Sequence, residues 1–172
     1  ESIGHGHYYD LEIPDLEKGV DALIARGLVD PDKLGVGGWS NGGILSADII
    51  TKDQRFKVAS VGAADVEWLS DWANVDFGAG FDNYYFGGPP WENIDTYIKK
   101  SPFFRLAKVT TPAIIYTGTN DRNVPPHQSW SMFRAMQQIG TTPARLVLFP
   151  EEPHGLQKIA HQRRKLEEDI AW

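Results

Sequence analysis

Leu34-Gly35-Val36-Gly37-Gly38-Trp39-Ser40-Asn41-Gly42-Gly43-Ile44-Leu45 is the stretch on which the fold turns. Its first residues form a short apolar run bounded by glycines, with the turn Asp30-Pro31-Asp32 just before it. That combination predicts a buried parallel strand over Leu34 to Gly38. From Gly42 onward, Ile44 to Ile50 predicts a buried helix. The join between strand and helix, Gly38-Trp39-Ser40-Asn41-Gly42, fits G-x-S-x-G. A serine held in a strained strand-to-helix turn needs small neighbours that clash with neither element. The helix N-terminus beneath it favours a developing negative charge. A glycine-rich turn with Ser40 as an ordinary helix cap would look the same locally. The two readings part only if the rest of the chain supplies partners for the serine.

On the N-terminal side, Ile13, Leu16, Val20, Leu23 and Ile24 recur at helical spacing, and Gly27 stops the helix. Pro14 falls in its first turn, where the missing N–H costs nothing. On the C-terminal side, Lys57 to Val61 predicts a second strand, Pro112 to Thr117 a third and Ala144 to Phe149 a fourth. Helices are predicted over Pro126 to Ile139, carrying Trp130, Phe133, Met136 and Ile139, and over Leu156 to Trp172, with Ile159, Leu166 and Ile170 inward. Strands alternating with helices in this way specify an α/β domain with a parallel sheet. Asp65 to Lys100 breaks the rhythm with Trp68, Trp72, Phe77, Phe81, Tyr84, Tyr85, Phe86, Trp91 and Tyr97 among glycines and prolines. It reads as an aromatic insertion with short helical pieces, with Asp95, Lys99 and Lys100 on a solvated face.

Composition narrows the function classes. The 172 residues are 41% hydrophobic, enough for one domain with a real core. No apolar run approaches the ~20 residues of a membrane span, and Glu1 to Asp10 does not read as a signal peptide. A net charge of −6 argues against nucleic acid as a partner. The absence of cysteine excludes disulfide scaffolds, thiolate zinc sites and cysteine nucleophiles. None of this assigns a compartment.

Serine is a poor nucleophile until a base takes its proton, so a histidine must reach it. In strand–turn–helix hydrolases the chain order is serine, acid, histidine, each on a loop after a strand. The third strand runs into Gly118-Thr119-Asn120-Asp121, and the fourth into Glu151-Glu152-Pro153-His154-Gly155. Asp121 alone could cap a turn, and His154 alone could be a loop histidine. Three groups in the required order at the carboxyl ends of three strands make a catalytic triad of Ser40, Asp121 and His154 the expectation.

Gly27-Leu28-Val29-Asp30-Pro31-Asp32-Lys33-Leu34-Gly35-Val36 followed by Gly38 to Gly43 resembles the catalytic domain of the prolyl oligopeptidase family. So do Pro89-Pro90-Trp91-Glu92-Asn93, Lys100-Ser101-Pro102-Phe103, Gly118 to Pro125 and Glu152-Pro153-His154-Gly155. The resemblance spans nearly the whole chain. It implies an α/β-hydrolase fold and hydrolysis of ester or peptide bonds through an acyl-enzyme, without metal or cofactor. It implies Ser40 as nucleophile, His154 as general base and then acid, and Asp121 as the group orienting the imidazole. The peptide N–H of Asn41 would be one oxyanion donor, with asparagine standing where the family often has tyrosine. Trp68 and Val124 would line the substrate pocket, joined by Trp72, Tyr84 and Tyr85.

The resemblance also implies that residues 1–172 are the C-terminal portion of a truncated α/β-hydrolase domain, with further strands and the second oxyanion donor upstream. His5 and His7 precede the helix before the nucleophile strand and read as surface residues. Carboxylesterase-type activity on small acyl esters is the expected chemistry, with a small-molecule ester or a peptide as substrate. A catalytically incomplete fragment serving only in binding or assembly is the competing reading. The strand Leu34 to Gly38 would then be a sheet edge, inviting self-association or association with an N-terminal part. Glu1 to Asp10 is placed to fold over part of that gap.

Overall fold

The structure, a computed structural model, describes residues 4–172. Four parallel strands, β1 (Gly35–Trp39), β2 (Val58–Gly62), β3 (Ala113–Gly118) and β4 (Ala144–Phe149), lie in the order β1-β2-β3-β4. Val36 pairs with Ala59, Val61 with Ile115, and Tyr116 with Val147. The strands start within about a residue of their sequence-predicted bounds. All six residues of β3 are buried, as befits a central strand covered on both faces. β1 lies at one edge.

Helices α1 (Glu12–Ala25), α2 (Asn41–Lys52), α3 (Trp68–Asn74), α4 (Gly80–Phe86), α5 (Pro90–Lys100), α6 (His127–Ile139) and α7 (Ile159–Ala171) surround the sheet. A 3-10 helix over Pro102–Lys108, which no periodicity announced, joins α5 to β3. The larger core sets Ala59, Val61, Ala113 and Ile115 against Ile44, Ala47 and Met136 from α2 and α6. On the opposite face, Ile114, Tyr116 and Phe149 pack with Trp39, Leu156 and Trp172. α7 docks there through Asp169, whose carboxylate accepts from Ser60 Oγ (2.8 Å) and Tyr116 Oη (2.9 Å). Among the described residues no helix is long and apolar enough to cross a membrane.

Several expectations change. Ile159, Leu166 and Ile170 point outward, at 81%, 60% and 78% exposed, because α7 meets the sheet through its polar side. Leu16 and Leu23 of α1 and Trp130 of α6 are also exposed, while Ile13, Val20 and Ile24 face the core. Lys100 is not on a solvated face: it is buried and pairs with Asp10 at 2.5 Å. The described part of the N-terminal segment, residues 4–10, packs on the insertion. Tyr8 stacks against Tyr9 and meets Trp68, Phe81, Tyr85 and Phe86 of the insertion edge-on or tilted, although Glu1, Ser2 and Ile3 of that segment lie outside the described residues. Apolar rings draw it to the aromatic insertion rather than to the strand edge.

Candidate active site

The turn between β1 and α2 is built around close backbone approach. A Cβ on Gly38 would sit 2.4 Å from the Gly42 carbonyl carbon, and one on Gly43 would sit 2.1 Å from the Gly62 oxygen. With those positions bare, α2 starts directly over the end of β1, and Ser40 is forced to φ 58°, ψ −123°. Such a backbone is unusual for a residue with a side chain and is the strained elbow the sequence pattern requires. Ser40 makes no side-chain cap to α2, so the ordinary N-cap reading fails. Its amide donates to the Gly62 carbonyl (3.0 Å), and its hydroxyl is left to face outward.

His154 and Asp121 arrive from the loops after β4 and β3. Gly118 lets those loops touch: a Cβ there would lie 2.3 Å from the Glu152 oxygen. Asn120 N–H donates to the Glu152 carbonyl (3.0 Å), tying one loop to the other. His154 Nε2 lies 2.8 Å from Ser40 Oγ, and Nδ1 lies 2.9 Å from Asp121 Oδ2. The bonding pattern assigns the proton of the resting imidazole to Nδ1, leaving Nε2 as acceptor for the serine hydroxyl. Asp121 is buried, and its Oδ1 accepts from the N–H groups of Asn123 (3.0 Å) and Val124 (2.9 Å). Two backbone donors and an imidazole N–H hold that carboxylate in one orientation. The three sequence-predicted residues therefore meet in bonding order.

A cavity of about 380 Å³ opens beside them, lined chiefly by Tyr8, Trp68, Phe81, Tyr85, Val124 and Asp65, with Ser40 and His154 at its floor. Trp68, Val124 and Tyr85 line this cavity. Trp72 and Tyr84 do not line it. Trp72 turns away to meet Trp91 edge-on, with its Nε1–H donated to Asn83 (2.9 Å). Tyr84 is half exposed and packs on His5. In a helix as short as α4, only the Phe81–Tyr85 side can face the cavity, so Tyr84 must point elsewhere. His5 and His7 are exposed, as expected.

Sequence reasoning missed several contributors. Tyr9 Oη donates to Asn41 Oδ1 (2.9 Å), with the Tyr8 hydroxyl 3.4 Å from the same oxygen. Glu152, buried, accepts from the N–H groups of Gln157 (2.7 Å) and Lys158 (2.9 Å) and contacts His161 Nδ1 (2.7 Å), which braces the His154 loop. Trp39 Nε1–H donates to the His154 carbonyl (2.6 Å), fixing the same loop from the elbow side. Asp65 carries a raised pKa because it is buried near the Asp82 and Asp121 carboxylates. The only signal for it was its place directly after the second strand. Among the described residues no group of His, Asp or Glu is arranged to hold a metal ion.

The prolyl oligopeptidase family profile matches residues 1–172. The uncharacterized peptidase YuxL of Bacillus subtilis is 30% identical over 94% of this chain and 24% of its own length. Acylamino-acid-releasing enzyme 1 of Oryza sativa is 27% identical over 89% of the chain and 21% of its own. The chain thus spans about a quarter of the length of the curated relatives it matches. A Mycobacterium tuberculosis puromycin-hydrolyzing peptidase superposes with a TM-score of 0.89 at 26% identity, over 98% of this chain and 25% of that one. Pyrococcus horikoshii acylaminoacyl peptidase shares the fold, with a TM-score of 0.84 at 24% identity over 92% of this chain and 27% of that one. With the profile match running from end to end over an α/β-hydrolase architecture, the chain belongs to the prolyl oligopeptidase family of serine hydrolases.

Proposed function

We propose that this chain cleaves peptide bonds and small acyl esters through a covalent acyl-serine at Ser40. The observation that carries the reading is the unbroken line Ser40 Oγ–His154 Nε2–His154 Nδ1–Asp121 Oδ2, at 2.8 and 2.9 Å. Ser40 Oγ attacks the substrate carbonyl carbon while its proton passes to His154 Nε2. The carbonyl oxygen becomes an oxyanion, stabilised by the Asn41 peptide N–H and the start of α2. Asp121 stabilises the imidazolium and keeps the ring in its working tautomer. As the bond to the leaving amine or alcohol breaks, His154 returns the proton to it. Water then attacks the acyl carbon, giving its proton to His154, and the acid departs as Ser40 regains its hydrogen.

The relatives named for releasing acylamino acids and for hydrolysing puromycin support a peptidase. The small aromatic cavity supports short acyl groups, esters included. Hydrolysis of p-nitrophenyl butyrate, measured for the protein and its Ser40→Ala variant, tests the reading. Activity that vanishes with Ser40 supports it, and equal rates contradict it. The same assay decides between this reading and that of a binding fragment without catalysis.

A further inference from the structure

The cavity beside Ser40 holds two carboxylates that acyl transfer does not use. Asp65, directly downstream of β2, lines it at 4% exposed, and its Oδ1 has no hydrogen-bond partner among the described residues. Glu12, in the first turn of α1, lines it too, and its Oε2 is likewise buried without a donor. Among the described residues no lysine or arginine lines this space. A buried carboxylate oxygen without a donor carries an uncompensated desolvation cost, which a bound cation removes. The rest of the wall is aromatic, with Trp68, Phe81 and Tyr85 presenting rings that also attract an ammonium group.

The triad makes a second argument. Asp121 is engaged by His154 and two backbone amides, so it offers nothing to a substrate. Asp65 has two acids at its back instead. Asp71 and Asp82 are fully buried and have no donor of their own, and burial holds both towards the protonated form. Burial raises Asp65 as well, to about 7, less than it raises Asp71 or Asp82. Of the three, the one that lines the cavity is thus the readiest to ionise, and a cation bound there favours its charged form.

Resting on the acyl-serine reading above, we propose that Asp65 and Glu12 bind an ammonium group carried by the acyl part of the substrate. The enzyme then prefers aminoacyl groups with a free amine over N-blocked ones. The amine can be the α-amine of a terminal residue or the ε-amine of a lysine side chain, and the substrates tell them apart.

The test is kcat/KM for four p-nitroanilides: phenylalanyl, N-acetylphenylalanyl, N-acetyllysyl and N-acetylnorleucyl. A ratio of at least about tenfold between phenylalanyl and N-acetylphenylalanyl assigns the α-amine, and the same ratio of N-acetyllysyl over N-acetylnorleucyl assigns the side chain. Asp65→Asn is expected to bring the favoured ratio towards one. Glu12→Gln, at a half-buried helix start, should reduce it as well if Asp65→Asn fails to fold. Fluorophosphonate labelling of Ser40 in every variant reports an intact site. Labelling without a preference for either amine, or ratios unchanged in both variants, overturns the ammonium site alone. A protein in which Ser40 takes no label and no substrate is cleaved overturns the acyl-serine reading, and this proposal with it.

Discussion

Ser40 holds φ 58° against a cost on the order of 1–3 kcal/mol for a strained backbone. Packed glycines leave the turn no other path. Replacing Gly43 with alanine puts a methyl group on the Gly62 carbonyl, and a loss of about 1–3 kcal/mol in chemical denaturation is expected, together with lost activity. Asp121→Asn keeps the bulk of the side chain but removes the charge that steadies the imidazolium, so kcat should fall about 10⁴-fold without a change in stability of that scale. The buried acids make a different prediction. Burial first, then the neighbouring carboxylates, raises Asp71 above the usual range and Asp82 to about 8. A carboxyl whose folded pKa is raised stabilises the fold below its unfolded value and loses that contribution as pH rises towards the folded one. Stability should therefore decline from about pH 4 up through pH 8 for Asp82. Asp71→Asn, neutral at every pH, should flatten that decline and raise the melting temperature at pH 8. Thermal melts across the range check it, and an unchanged slope would argue against buried protonated acids.

At the scale of elements, the catalytic loops depend on groups far less visible in the sequence than the triad. Strand runs bounded by glycine and proline, and the G-x-S-x-G join, were legible because each has a local steric cause. The order Ser40, Asp121, His154 was legible because loops at the carboxyl ends of parallel strands converge. Tyr8, Glu12 and Phe81 were not, since they reach the cavity by packing between segments remote in sequence, which leaves no periodic trace. Trp72 and Tyr84 misled for the same reason: an aromatic insertion announces its rings but not their directions. α7 misled through its apolar spacing, because Asp169 and Lys165, not Ile170, face the sheet. Glu152 was hidden beside the histidine it supports. Glu152→Ala removes the acceptor for two loop amides and for His161, and the loosened His154 should lower kcat by about 10²-fold. Ser40 should still take a fluorophosphonate, more slowly. An unaltered kcat would show that Trp39 and the Asn120 tie hold the loop without the Glu152 carboxylate.

For the whole molecule, the four-stranded sheet leaves β1 at an edge, with Gly35 and Gly37 exposed and the other three residues half-buried. Leu16 and Leu23 on α1, and Ile159, Leu166 and Ile170 on α7, add apolar surface. Open edges and apolar patches drive association. Residues 1–172 expressed alone are expected to self-associate in sedimentation velocity, and a stable monomer at high concentration would contradict this. The chemistry has a more direct test. Stopped-flow mixing of the protein with p-nitrophenyl butyrate should give a burst of p-nitrophenol equal to the active sites, followed by slower turnover, with the butyryl group found on Ser40 by mass spectrometry. The account predicts burst and adduct together, both absent in Ser40→Ala. An adduct on another residue, or a burst that survives Ser40→Ala, would contradict it.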